Sequence, residues 1–115
     1  MRVKSGLWVS AYLRRLGAIP VSAVVLKRGD ADAGAIFIKV TSLNGQAQVL
    51  RPALSMVGEE VPERRWVYAL ESGNREESEA DAYLARQREF DPDLWIIEVE
   101  DRQGRHFLDD VLTEE

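Results

Sequence analysis

The chain has 115 residues, no cysteine, one histidine and a formal net charge of −5. That length is most simply one domain, able to bury roughly two-thirds of its unfolded surface without staples. The composition excludes disulfides and thiolate chemistry, and leaves no metal-ligand pattern except an all-carboxylate one.

The first stretch, MRVKSGLWVSAYLRR, has an apolar run broken by Ser10 and ended by Arg14-Arg15. It has neither the core nor the cleavage site of a signal peptide, and no apolar run approaches a membrane span. A soluble cytoplasmic protein without membrane contact is expected. Ser5 is a good N-cap for a helix over 6–16. Trp8, Tyr12 and Leu16 stack at i, i+4 and i+8 beside Val9 and Leu13, forming a stripe that predicts core. Gly17 fits the position after the helix, and Ile19-Pro20 forbids continuation.

Residues 20–51 read as three consecutive antiparallel strands joined by two turns. Ser22–Lys27 is rich in valine, and Ala35–Thr41 alternates with a period of two. Asn44-Gly45 suits a two-residue hairpin turn. That turn would set Val40 opposite Val49 and Lys39 opposite Leu50, with Val49 on the face of Ile36, Ile38 and Val40. The earlier connection, Arg28 to Gly34, holds Asp30 and Asp32 at the spacing that opens a calcium loop. The later ligands of such a loop are missing, so the aspartates are expected to bond their own backbone.

Residues 52–65 show no sustained period and read as a long loop with one helical turn near 53–56. Trp66–Leu70 returns to strand character, and 71–77 is a polar connection through Gly73-Asn74. Ser78 opens a helix over 79–90, which Asp91-Pro92 stops. Leu94–Glu100 is a strong strand, apolar on both faces at its start. A turn over 101–104 leads to 105–108, expected to pair back, and to an acidic end. These elements predict a single α+β domain, with an antiparallel sheet of about five or six strands and both helices on one face.

The candidate chemistry is sparse. His106 is the one general base available, with an acidic partner, but no serine sits in a nucleophile motif. Gly29 and Gly34 lack the lysine and helix of a phosphate loop. Asp30 and Asp32 are weak metal candidates, and no cofactor is implied. Residues 1–52 carry eight basic residues against Asp30 and Asp32, a net of +6. Residues 53–115 carry seven arginines against eighteen carboxylates, a net of −11. Arg14, Arg15, Lys27 and Arg28 are the candidate contacts for RNA or another polyanion, a reading that the overall acidity opposes. Arg64, Arg65 and Trp66 are candidates for a protein contact edge, with Trp66 expected to be partly exposed.

The stretches SGLWVSAYLRR (5–15), RGDADAGAIFIKV (28–40) and FDPDLWIIEVEDRQGRHFLDD (90–110) together resemble a small alphaproteobacterial family classed as a domain of unknown function. The resemblance implies a small cytoplasmic bacterial protein and transfers no catalytic residue. The leading expectation is a non-catalytic interaction or accessory module whose partner is another protein or a second copy of itself. An enzyme built on His106 and a polyanion binder are the alternatives.

Overall fold

The computed structural model describes residues 3–54, 64–71 and 75–112. Within them the elements run α1 (Ser5–Ala18), β1 (Ser22–Lys27), β2 (Ile36–Thr41), β3 (Gln46–Pro52), β4 (Trp66–Tyr68), β5 (Arg75–Glu76), α2 (Glu77–Phe90), β6 (Trp95–Glu100) and β7 (Val111–Leu112). The strands form one sheet in the order β1-β6-β2-β3-β4-β7, and β5 pairs with β3 off that path. The fold class is α+β, as expected. The sheet is mixed rather than purely antiparallel, because β2 runs parallel to β6 and β4 parallel to β7.

β1 and β2 are antiparallel to each other, but they are not neighbours. β6 lies between them, antiparallel to β1 and parallel to β2. The expected run of three adjacent strands is corrected here, and the cause lies in composition. β6 opens with apolar residues of both parities, and Trp95, Ile96 and Ile97 are all buried. A strand apolar on both faces belongs in the middle of a covered sheet. β1 alternates between exposed and half-buried along its whole length, the pattern of an edge. The connection between β1 and β2 spans two inter-strand spacings, about 10 Å, which a tight turn could not.

The β2–β3 register is one residue from the expected one. Lys39 pairs with Val49 and Ile38 with Leu50. The loop holds three residues, Leu43-Asn44-Gly45, because the Asn44 side chain organises it. Asn44 Oδ1 accepts the Ser42 hydroxyl at 2.8 Å and the Gln46 N–H at 3.1 Å, and Leu43 takes a left-handed φ of 64°. The extra loop residue sends Val49 to the face of Phe37 and Leu50 to the face of Ile38.

Both faces are therefore apolar, and each has its own helix. Val9, Tyr12 and Leu16 of α1 pack on Ile36, Ile38, Val40, Trp95, Ile97 and Val99. Ala80 and Leu84 of α2 pack on Phe37, Ala47, Val49, Leu94 and Ile96. The expectation that the helices share one face is corrected, because central strands buried on both sides require cover on both.

Two local expectations also change. Ser5 is the first helical residue and is buried, its hydroxyl donating to Gly34 O at 2.6 Å, while α1 runs through Gly17. Residues 105–108 do not pair back on β6 as a strand. They cross the α1 face irregularly, with Phe107 and Leu108 packed on its core, and deliver the chain to β7. The expected turn over 53–56, the connection through Gly73-Asn74 and the final residues lie wholly or partly outside the described residues.

Candidate functional site

The densest polar constellation among the described residues surrounds Lys39. The alternation of β2 points this lysine to the α2 face beside Phe37 and Thr41, and it is only 3% exposed. Its Nζ lies 2.7 Å from Glu77 Oε2, 2.8 Å from Asp81 Oδ1 and 3.0 Å from Glu98 Oε2. Glu77 and Asp81 are four residues apart on the first turns of α2, so they share one helix face. Glu98 is the direct neighbour of Lys39 across the β2–β6 ladder. Three N–H donors thus meet three carboxylates. Burial alone would lower the lysine pKa. The hydrogen bonds to Asp81, Glu77 and Glu98 more than offset that, and hold it well above the ordinary lysine value. A lysine kept protonated in this way is no nucleophile. It fastens α2 to the sheet. Lys39 is not among the candidate residues that the sequence pointed to. The signal that could have found it is a single cation between Ile38 and Val40, together with the Glu77/Asp81 spacing.

The connection between β1 and β2 is a second junction. Asp30 Oδ2 accepts the N–H groups of Asp32 at 3.2 Å and Ala33 at 2.8 Å, the self-bonded turn expected of it. The carbonyls of Asp32 and Ala31 accept the first N–H groups of α1, from Ser5 at 3.3 Å and Gly6 at 2.9 Å. These donors have no partner inside the helix. Trp95 Nε1 donates to Asp30 O at 2.9 Å, and the Arg28 guanidinium lies 5.3 Å from the Trp95 ring centroid. A Cβ on Gly34 would stand 2.5 Å from Asp93 O, and one on Gly29 would press on Asp93 O and the Leu94 carbonyl group. Close backbone approach therefore requires both glycines. Among the described residues no group of acidic or histidine side chains is arranged to hold a metal ion.

His106 is held by main-chain contacts. Its Nδ1 accepts the Leu108 N–H at 2.9 Å, and its carbonyl accepts the Tyr12 hydroxyl at 2.7 Å. Burial lowers its pKa, favouring the neutral ring that this acceptor role needs. Tyr68 stands edge-on to it, the ring centroids 6.3 Å apart. Nearby Asp101 is clamped by Arg105, whose Nη2 and Nε donate to its two carboxylate oxygens at 2.8 and 3.1 Å. The Arg105 side chain, opposed by partial desolvation, holds the Asp101 carboxyl below its usual range.

The remaining sequence candidates disperse. Trp66 is 2% exposed and packs against Trp8 at 5.3 Å between ring centroids, so the expected exposure is corrected. It opens a strand that lies over the α1 core. Arg64 Nη2 donates to Val3 O at 2.9 Å and Ser5 Oγ at 3.1 Å. Arg64, Arg65 and Trp66, with Pro52 and Ala53, line a shallow depression. Arg15 donates to Phe107 O and pairs with Asp109 at 4.0 Å. Lys27 Nζ donates to Pro92 O at 2.6 Å and Leu94 O at 3.1 Å. Arg14 is exposed on α1. The four candidate polyanion contacts therefore form two adjacent pairs, Arg14 and Arg15 near the end of α1 and Lys27 and Arg28 at the end of β1.

A small α+β protein with a sheet covered on both faces, held by a caged lysine and a glycine-bounded connection, is the class defined by this architecture. Residues 3–109 match the family described as "Protein of unknown function (DUF1491)", and the chain belongs to it. The crystal structure of a DUF1491 family protein from Caulobacter crescentus superposes with a TM-score of 0.81 at 35% identity, covering 98% of this chain and 100% of that one. The NMR structure of a DUF1491 family protein from the same organism gives 0.81 at 36% identity, covering 98% and 99%. The solution structure of protein Atu0922 from A. tumefaciens gives 0.74 at 38% identity, covering 87% and 86%. No curated protein matches the chain. The stretches that carry the family resemblance meet at the Gly29/Gly34–Asp93 junction, so the motif marks the scaffold of the fold.

Proposed function

We propose that the protein is a non-catalytic interaction module that works in the cytoplasm by binding another protein. One observation carries this reading: the groups most suited to chemistry serve internal structure. Lys39 is caged by three carboxylates, the His106 ring accepts a main-chain N–H, and Asp101 is clamped by Arg105. Most of the N-terminal cations have partners within the fold: Lys4 lies 3.7 Å from Asp32 in an exposed pair, Arg15, Lys27 and Arg28 are engaged as above, and Lys39 is buried. Lys4, Arg15 and Lys39 face carboxylates, which works against a polyanion, whose binding depends on clustered cations. Among the described residues no helix is long and apolar enough to cross a membrane.

The test is co-purification from the native cell, identification of the recovered protein and reconstitution from purified components, with light scattering at low and high salt. A stoichiometric reconstituted complex is expected. A salt-insensitive monomer that recovers no reconstitutable partner overturns the reading.

A further inference from the structure

The α2 face of the sheet is only half covered. Val49, Lys39, Glu98 and Val24 lie side by side on it, one from each of β3, β2, β6 and β1. Exposure climbs along that row from 0% at Val49 and 3% at Lys39 to 21% for the Glu98 side chain and 49% at Val24. The cover supplied by α2 thus fades towards β1. Leu26, 51% exposed, adds a second apolar side chain on the same outer strand. Acid borders this apolar stripe. Glu98 and the exposed Glu100 stand on β6, and the Asp81 side chain, 58% exposed, stands at the foot of α2.

We propose that this strip, the β6–β1 floor beside α2, is a docking site for one basic amphipathic helix of a partner protein. The proposal rests on the interaction reading above and gives it a surface and a partner chemistry. Two strands make a strip about 10 Å wide, and a helix with its side chains is about 10–12 Å across. A sheet face of this kind is ordinarily closed by such an element. The apolar ridge of the incoming helix covers Val24 and Leu26, and its lysines or arginines face Glu98, Glu100 and Asp81. Charge complementarity selects a cationic partner and speeds its approach. Strand addition to the β1 edge is disfavoured. The ladder is irregular between Val25 and Lys27, and Lys27 folds back onto Pro92 O and Leu94 O. Bulges and edge lysines deter added strands.

The probe is a synthetic helix of about 18 residues with leucines at i, i+3/i+4 and i+7 and lysines on its flanks. A counterpart with glutamates in place of the lysines is the control. Each is titrated into the full-length chain labelled for amide NMR, at low and high salt. The expected result is saturable shifts confined to residues 22–26, 81 and 96–100 with the basic peptide. Added salt should weaken binding, and the acidic peptide should not bind. The double variant V24S/L26S changes two exposed positions, which keeps the fold intact, and should weaken binding on the order of tenfold. Glu100→Gln should reduce the salt dependence.

Shifts centred on the outer face of α1 or on Arg64-Arg65 overturn the docking floor and leave the interaction reading standing. So does a reconstituted cellular partner that is indifferent to V24S/L26S. Equal binding of both peptides, or binding of neither, also overturns it. Concentration-dependent self-association through the same residues, without peptide, makes a second copy the occupant and overturns the partner helix. If no peptide binds and no cellular partner is recovered, both readings fall.

Discussion

A single ammonium holds three acidic side chains from two elements, so the fate of Lys39 decides how well α2 is seated. Lys39→Met keeps the stem and removes the charge, leaving Glu77, Asp81 and Glu98 converging on an apolar tip. Loss of one partner from a buried ion pair is strongly destabilising. A loss of about 3 kcal/mol is expected in urea unfolding; a loss below about 1 kcal/mol would show that the cage is too well hydrated to matter. The same residue sets the alkaline limit. Its folded pKa lies above the ordinary 10.5, so the folded state keeps a proton that the unfolded state gives up. Its contribution is fully present below about pH 10.5 and fades as pH rises beyond that. Tyr12 acts in the same direction. Burial raises its pKa above the ordinary 10.0, against an opposing effect of Arg15, so the unfolded phenol ionises first. Stability should be level to about pH 10 and fall above it, with a shallower fall in Lys39→Met and in Tyr12→Phe. Equal slopes in all three proteins would remove both residues from the account. Gly29 is the third decisive residue. A methyl group there meets main-chain atoms of Asp93 and Leu94 that cannot swing aside. Gly29→Ala should cost about 2 kcal/mol or more, whereas Gly17→Ala, with open space around it, should cost nothing in the same thermal unfolding assay.

Among the elements, the irregular segment over 105–110 resembles a strap more than a strand. Tyr12 and Arg15 of α1 donate to two of its carbonyls, and the His106 ring accepts from Leu108. Because burial depresses the His106 pKa below the ordinary 6.5, the strap's contribution is intact above that pH and is lost as pH falls. Protonation also removes the acceptor that Leu108 uses. Lowering the pH from about 7 to 5 should therefore raise the opening of the Leu108 amide, after correction for intrinsic exchange, before any change at Ile97 in β6. Simultaneous loss of protection at both would make the strap part of the global unit. Much of this level was legible in the sequence. The Trp8/Tyr12/Leu16 stripe, the alternation of 36–41 and the apolar start of β6 each report a local periodicity, and each formed its element. What failed was long-range or depended on one side chain. Periodicity cannot show that β6 enters between β1 and β2. The Asn44 hydrogen bonds enlarged the loop and moved the register by one residue. Periodicity also cannot show which face a helix covers: α2 was expected on the same face as α1, and with it placed there the Lys39 cage could not be seen.

For the whole molecule, the two faces are finished unequally: α1 and the strap cover one, and α2 covers part of the other. The strand order also has a consequence in time. Among the described residues β6 is the sole neighbour of β1 in the sheet, and it is also the parallel partner of β2. A chain made from its N-terminus exposes β1 and β2 long before β6 exists. During that interval the two valine- and isoleucine-rich strands are antiparallel candidates for each other, and the glycine-bounded connection between them is long enough to close a direct hairpin. Such a hairpin would be a register-competent trap that has to reopen to admit the late strand. Synthesis halted at successive lengths should show β1 gaining resistance to proteolysis only once residue 100 is available for pairing. Refolding of the finished chain should be slowed by substitutions that strengthen a β1–β2 hairpin, because that hairpin has to reopen before β6 can enter between the two strands.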